Sequence, residues 1–152
     1  MKQVTRINGA RVIINTSASG KVTVKPALPT EDELQAAQCA ALRQHPLFNK
    51  QFTFAASLEA ERRGPKARSK ALRTGMMAGE PDLRLCFSGG RLVYVENKVG
   101  NARMQPSQEP RHALLRRLGF TVHVVRAVAP EEAVAAIMTI VEHELRQPSE
   151  AA

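Results

Sequence analysis

The 152 residues carry 22 Lys and Arg against 14 Asp and Glu, a formal charge of +8 that favours a polyanionic partner. No apolar run approaches a membrane span and no signal-peptide core stands at the amino terminus, so no membrane partner is expected. Cys39 and Cys86 make neither a disulfide framework nor part of a metal-ligand cluster, which argues against structural zinc and for reduced thiols in a cytoplasmic protein. The length suits one domain with a modest extension, and the few aromatics favour contact with backbone phosphate over base stacking.

Residues 1–28 alternate apolar and polar positions around the turn signals Asn8-Gly9 and Ser19-Gly20, the pattern of a small β-meander. This amino-terminal extension reads in three ways: an arm against a partner subunit, a DNA-contacting hairpin, or, the preferred reading, an added edge on the main sheet. A helix opens at Thr30, with Glu33 at the capping-box position and Glu31 and Asp32 in the first turn, and it stops at His45-Pro46. Gln51 to Leu58 reads as the first core strand. Six Lys and Arg then fall in the twelve residues from Arg62 to Arg73, a run that opens at Gly64-Pro65 and ends in a short helix capped by Gly75. Such a run is either an ordinary solvated face or a phosphate-tracking surface made by Lys66, Arg68, Lys70 and Arg73.

The next stretch is the most informative. Gly79 to Phe87 and Arg91 to Lys98 flank Ser88-Gly89-Gly90, which reads as a β-hairpin. With the turn centred on Gly89, Asp82 faces Glu96, Leu83 faces Val95 and Leu85 faces Val93. One face is then nearly all apolar, while the other carries Asp82, Arg84, Cys86, Leu92, Tyr94, Glu96 and Lys98. Opposed Cβ atoms lie ~5 Å apart, and two carboxylates ~4 Å apart repel by about 4 kcal/mol at an effective dielectric near 20. A proton, a cation or splaying into water must offset that repulsion. Hard carboxylate oxygens suit Mg²⁺ or Mn²⁺, and Lys98 is placed to orient a metal-bound water or help deprotonate it. The bland alternative is a hairpin with a solvated polar face.

Beyond the hairpin, Gly100 to Arg103 is a turn that adds one cation, Arg103. Ser107 is expected to cap a helix that closes at Gly119, with Gln108 in its first turn and Arg111, Arg116 and Arg117 as basic surface. Phe120 to Arg126 is a β-branched strand of the kind buried on both faces. His112, His123 and His143 lack partners at ligand spacing and read as core or rim residues. Pro130 starts the last helix, whose apolar stripe runs through Ala133, Val134, Ile137, Met138, Val141 and Leu145, and residues 148–152 read as a tail. The order of elements defines an α/β protein with a central mixed sheet flanked by helices.

Gly79-x-Pro81-Asp82, Glu96-Asn97-Lys98 and the later Gln108 resemble the virus-type replication-repair nuclease (VRR-NUC) family of the PD-(D/E)xK phosphodiesterases. The run Gly100 to Gln108 and Leu118-Gly119-Phe120 strengthen the likeness, which extends from about Pro29 to about Arg126. The resemblance implies a restriction-endonuclease-like core (α-β-β-β-α-β) over residues 29–147, in a protein of a bacterium or a phage-infected host. It also implies a homodimeric nuclease for branched, flap or junction DNA in replication, repair or recombination. Asp82 and Glu96 would hold the metal, with the Asn97 carbonyl as a further ligand and Lys98 beside the water. Gln108 belongs to the family's active-site motif. The family's first helix carries a supporting acid before an Ile/Leu-Gln pair. Glu31 matches that acid ahead of Leu34-Gln35, and Glu33 is the weaker match. Where family members commonly carry an Asn after the first core strand, this chain has Leu58-Glu59-Ala60. Two other readings stay open: a non-catalytic, basic nucleic-acid-binding protein of the same fold, and a sequence-specific restriction enzyme.

Overall fold

The amino-terminal pattern folds as the turn chemistry dictates. Asn8 and Gly9 both adopt positive φ, joining β1 (Lys2–Ile7) to β2 (Ala10–Thr16), and β3 (Val22–Pro26) completes an antiparallel sheet in the order β1-β2-β3. The computed structural model describes residues 1–57 and 64–148. The sequence departure at Leu58-Glu59-Ala60, the cations Arg62 and Arg63, and the tail after residue 148 lie outside that range. Among the described residues, the three strands form a sheet of their own and not an added edge of the main one. Strand alternation by itself does not say which backbone edge a meander will pair with.

Thr30 caps α1 (Glu31–Gln44) through a complete capping box: its side chain accepts from the Glu33 N–H while Glu33 accepts from the Thr30 N–H. After β4 (Phe52–Ala56), α2 (Pro65–Arg73) takes proline at its start, buries Ala71 and turns its cations outward. A three-residue 3₁₀ turn, Ser88–Gly90, with Gly89 at φ 77°, links β5 (Leu83–Phe87) to β6 (Leu92–Val99). Their register pairs Leu83 with Val95 and Leu85 with Val93, as expected from a turn centred on Gly89. α3 (Gln108–Arg117), β7 (Thr121–Ala127) and α4 (Pro130–Arg146) follow. Ser107 stands at the head of α3 with helical φ and ψ, and its side chain makes no capping hydrogen bond, contrary to expectation.

The main sheet has the order β4-β5-β6-β7, antiparallel except for the parallel β6–β7 pair. Its odd-numbered face carries Leu83, Leu85, Phe87, Val93 and Val95 into the core against Leu34 and Leu42 of α1 and Ala133, Ile137 and Val141 of α4. On the other face, Tyr94 and Val122 pack against Leu115 of α3. Helices therefore cover β6 from both sides, and it is β6, paired on both edges, that is buried from Val93 to Lys98. β7 is an edge strand whose Arg126 stays exposed. This layering keeps water from the polar end of β6.

Candidate active site

Asp82 and Glu96 extend the hairpin register by one step beyond Leu83 and Val95, so both leave the sheet on the same face. They are not solvated. Glu96 is 0% exposed, Lys98 1% and Asp82 6%, which rules out an ordinary solvated face at this end of the hairpin, although Arg84 and Cys86 on the same face are exposed. Burial and, after it, the charge of Asp82 push the Glu96 carboxyl up to about 7, against the opposing pull of Lys98. Lys98 Nζ lies 2.8 Å from Glu96 Oε1 and donates to Glu31 Oε1 at 3.1 Å. Burial pulls the Lys98 ammonium down, but the bonds to Glu96 and Glu31 more than offset it, leaving its pKa above the ordinary value.

The two acids proposed for the start of α1 part company. Glu31 reaches Lys98, whereas Glu33 closes the capping box and pairs with Arg6 of the amino-terminal sheet. Gln108 joins the same cluster. Its Nε2 donates to Glu96 Oε1 at 2.6 Å and its Oε1 accepts from the Gln105 N–H, tying the loop before α3 to the acid. Gly79 makes that approach possible, because at φ +74° a Cβ there would drive into the Ser107 carbonyl and stand 2.8 Å from the Gln108 nitrogen. The glycine of the Gly-x-Pro-Asp motif thus has a packing reason as well as a conformational one.

Asn97 is held on both sides. Its backbone N–H donates to Asp82 Oδ2 at 2.7 Å, and its side-chain amide exchanges two hydrogen bonds with Gln38 of α1. Gln38 also donates to the Ala133 carbonyl of α4, so one buried amide pair joins two helices to β6. Phe87 and Arg91 are hydrogen-bonded across the hairpin, so alternate residues 91, 93, 95 and 97 direct N–H and C=O toward β5. The Asn97 carbonyl therefore projects toward the side where Asp82 lies.

Two buried residues were not expected beside the acids. Gln38 is one. The other is His112, 2% exposed, whose Nε2 lies 3.7 Å from Glu96 Oε2. Both His112 ring nitrogens and Glu96 Oε2 are buried without a hydrogen-bond partner. Burial, with Arg116 and Lys98 adding to it, holds the imidazole below its ordinary pKa. Spacing along the chain gives His112 no ligand partner; α3 packing supplies Glu96 as its neighbour. The one available signal was position, a histidine one helical turn after Gln108 on the same face.

The remaining expected residues lie apart from this cluster. Lys66, Arg68, Lys70 and Arg73 are exposed on α2, and Arg103 is exposed in the turn after β6. Arg111 is not free basic surface: its Nε donates to Glu80 at 2.7 Å. Beside the acids, on the same face, a cleft of about 450 Å³ opens between Tyr94, Arg84, Glu80, Arg111, Met76 and Met77.

Among solved structures, the chain is similar to a protein described as a "VRR_NUC domain protein", with a TM-score of 0.54 and 24% sequence identity. The match covers 76% of this chain and 91% of that one. No family model matches the chain, and no curated protein does. The likeness is one of fold. The chain has a VRR-NUC-like fold, with a four-stranded mixed sheet flanked by helices. Among the described residues no helix is long and apolar enough to cross a membrane.

Proposed function

We propose that the chain is a metal-dependent endonuclease that hydrolyses DNA phosphodiester bonds, acting as a homodimer on branched, flap or junction DNA in replication, repair or recombination. The observation that carries this reading is a buried carboxylate with one bare oxygen, Glu96 Oε2, held beside a second acid and an ammonium. A carboxyl whose proton is retained to about pH 7 by burial and a neighbouring charge is one that a divalent cation would stabilise. No group of three or more His, Cys, Asp or Glu placed to hold a metal ion occurs among the described residues. The donor set is instead two carboxylates and the Asn97 carbonyl, all oxygen, which fits Mg²⁺ or Mn²⁺ completed by water and substrate phosphate. Bound there, the cation would supply Lewis acidity to the scissile phosphate and lower the pKa of a water.

The chain's own residues do the rest. Lys98 is an ammonium at neutral pH, so it positions the attacking water and stabilises charge on the phosphate instead of removing a proton. Glu31 and Glu96 hold that ammonium in place, and Gln108 fixes the Glu96 oxygen opposite the bare one. Water attack at phosphorus breaks one P–O bond and leaves one phosphate monoester and one hydroxyl end. The cleft at Tyr94 and Arg84 lies two residues along each strand from the acids, about 6.6 Å, and gives the neighbouring nucleotide room. Lys66, Arg68, Lys70, Arg73 and Arg103 hold the backbone on either side.

The test is a cleavage panel of duplex, flap and four-way-junction DNA with Mg²⁺ or Mn²⁺, run beside Asp82→Ala. Wild type should cut, and the variant should lose on the order of 10³-fold in rate, or about 4 kcal/mol, while still binding DNA. Binding without cleavage on every substrate would replace this reading with that of a non-catalytic nucleic-acid-binding protein. Cleavage confined to one short duplex sequence would replace it with that of a restriction enzyme.

A further inference from the structure

The amino-terminal sheet has no part in the chemistry above, yet its charge is one-sided. Residues 1–30 contain five Lys and Arg and no Asp or Glu. The register sets Arg6 opposite Arg11, Val4 opposite Ile13, and Ile13 opposite Lys25. Opposed and alternate residues share a face, so Lys2, Arg6, Arg11 and Lys25 stand together on one side. The other side carries Val12, Ile14, Val22 and Val24. Lys2, Arg6 and Lys25 are exposed, and Arg11 is half-buried.

Like charges directly opposed destabilise a strand pair. Arg6 is offset by Glu33, whereas Arg11 turns to the Leu28 carbonyl at 3.1 Å. Among the described residues no carboxylate pairs with Lys2, Arg11 or Lys25. The Arg6–Glu33 pair also fixes where this face lies. Glu33 belongs to the same first turn of α1 as Glu31, whose carboxylate meets Lys98. The basic face is thus tied to the turn of α1 that also carries Glu31.

We propose that this sheet is a second DNA contact that grips the phosphate backbone of a duplex arm leading away from the site. The proposal rests on the nucleic-acid reading above and adds a partner surface to it. Lys2 to Arg6 spans about 13 Å along β1, on the order of four phosphates of one strand counted along the duplex axis.

Binding of a fluorescein-labelled duplex to the full chain, followed by anisotropy in metal-free buffer over a salt series, tests it. Replacing Lys2, Arg11 and Lys25 together by Gln should lower the slope of log K against log salt by roughly 0.9 per contact, about 2.7 in all. The charge-keeping set Lys2→Arg, Arg11→Lys and Lys25→Arg should hold the slope. An unchanged slope in a Gln variant that keeps the wild-type circular dichroism overturns the proposal. So does an unchanged slope accompanied by a fall in mass from dimer to monomer, which would give the face to a second copy of the chain. Should the triple variant lose its fold, Lys25→Gln on exposed β3, with an expected change of about 0.9, decides. Wild type that cuts DNA with an unaltered slope in the variants sinks this contact alone. Wild type that binds no DNA sinks the nucleic-acid reading itself.

Discussion

Each of the two sheets brings a pair of like charges together across neighbouring strands, and the two pairs sit in opposite surroundings. Arg6 and Arg11 face each other across β1 and β2 with water close by. Asp82 and Glu96 sit at the end of β5 and β6, under helices. Like charges ~4 Å apart repel by about 1 kcal/mol in water and about 4 kcal/mol at an effective dielectric near 20. Water and one half-buried carboxylate, Glu33, therefore suffice for the arginines. The acids require a proton, an ammonium or a metal within contact distance, and Glu96 shows the strain as a raised pKa. The exposed pair acts at a distance, steering a polyanion in a salt-dependent way, whereas the buried pair acts only on what touches it.

The strongest way to break the comparison is to remove the buried cation. Lys98→Met leaves Glu96 and Glu31 without their ammonium and should cost about 3–5 kcal/mol of stability in denaturant unfolding, along with cleavage. Arg11→Met, on the other sheet, should leave the unfolding midpoint almost unmoved. If the two variants unfold alike, the contrast between the sheets is wrong.

A nearly equal effect should appear in the pH dependence. The fold holds the Glu96 proton up to about 7, whereas an unfolded carboxyl releases it near 4.5. Between those values the native chain binds more protons than the unfolded one, so stability falls as pH rises, by about 3 kcal/mol over the window. Glu96→Gln does not titrate and should lack this loss. Melts at pH 5 and pH 8 should therefore show the variant gaining on the wild type as pH rises. Adding Mg²⁺ or Mn²⁺ at pH 8 should raise the melting temperature of the wild type and not of Glu96→Gln. A constant difference between the two proteins across that range would mean that Glu96 is not held protonated.

Next in size is Gly79→Ala, expected to cost roughly 1–3 kcal/mol through its positive φ and the crowding against Ser107 and Gln108. Because α3 carries Gln108 to Glu96, cleavage should fall further than this loss of stability would account for. This glycine marks what the chain discloses locally. The motif names Gly79, and the turn arithmetic places Asp82 opposite Glu96, because both depend on residues close together in sequence. The capping box at Thr30 and Glu33 is legible for the same reason. The Gln38–Asn97 amide pair and the approach of His112 to Glu96 are not, since they depend on which faces of α1 and α3 land on the sheet. The independence of the amino-terminal sheet was hidden likewise. Alternation reveals strands but not the edge they leave unpaired.

The smallest effect sharpens the comparison from the exposed side. Arg6→Gln removes the partner of Glu33, yet side-chain exposures of 60% and 28% place this pair among surface ion pairs, which add little to stability. The capping box keeps Glu33 in place through two backbone bonds, so α1 should melt as before. What should change is the bearing of the basic face relative to α1, visible as lost amide protection in β1 and β2 by hydrogen exchange while β5 and β6 keep theirs. Equal loss in both sheets would show that the arginine supports the main core, and the exposed charge pair would then belong to the same electrostatic system as the buried one.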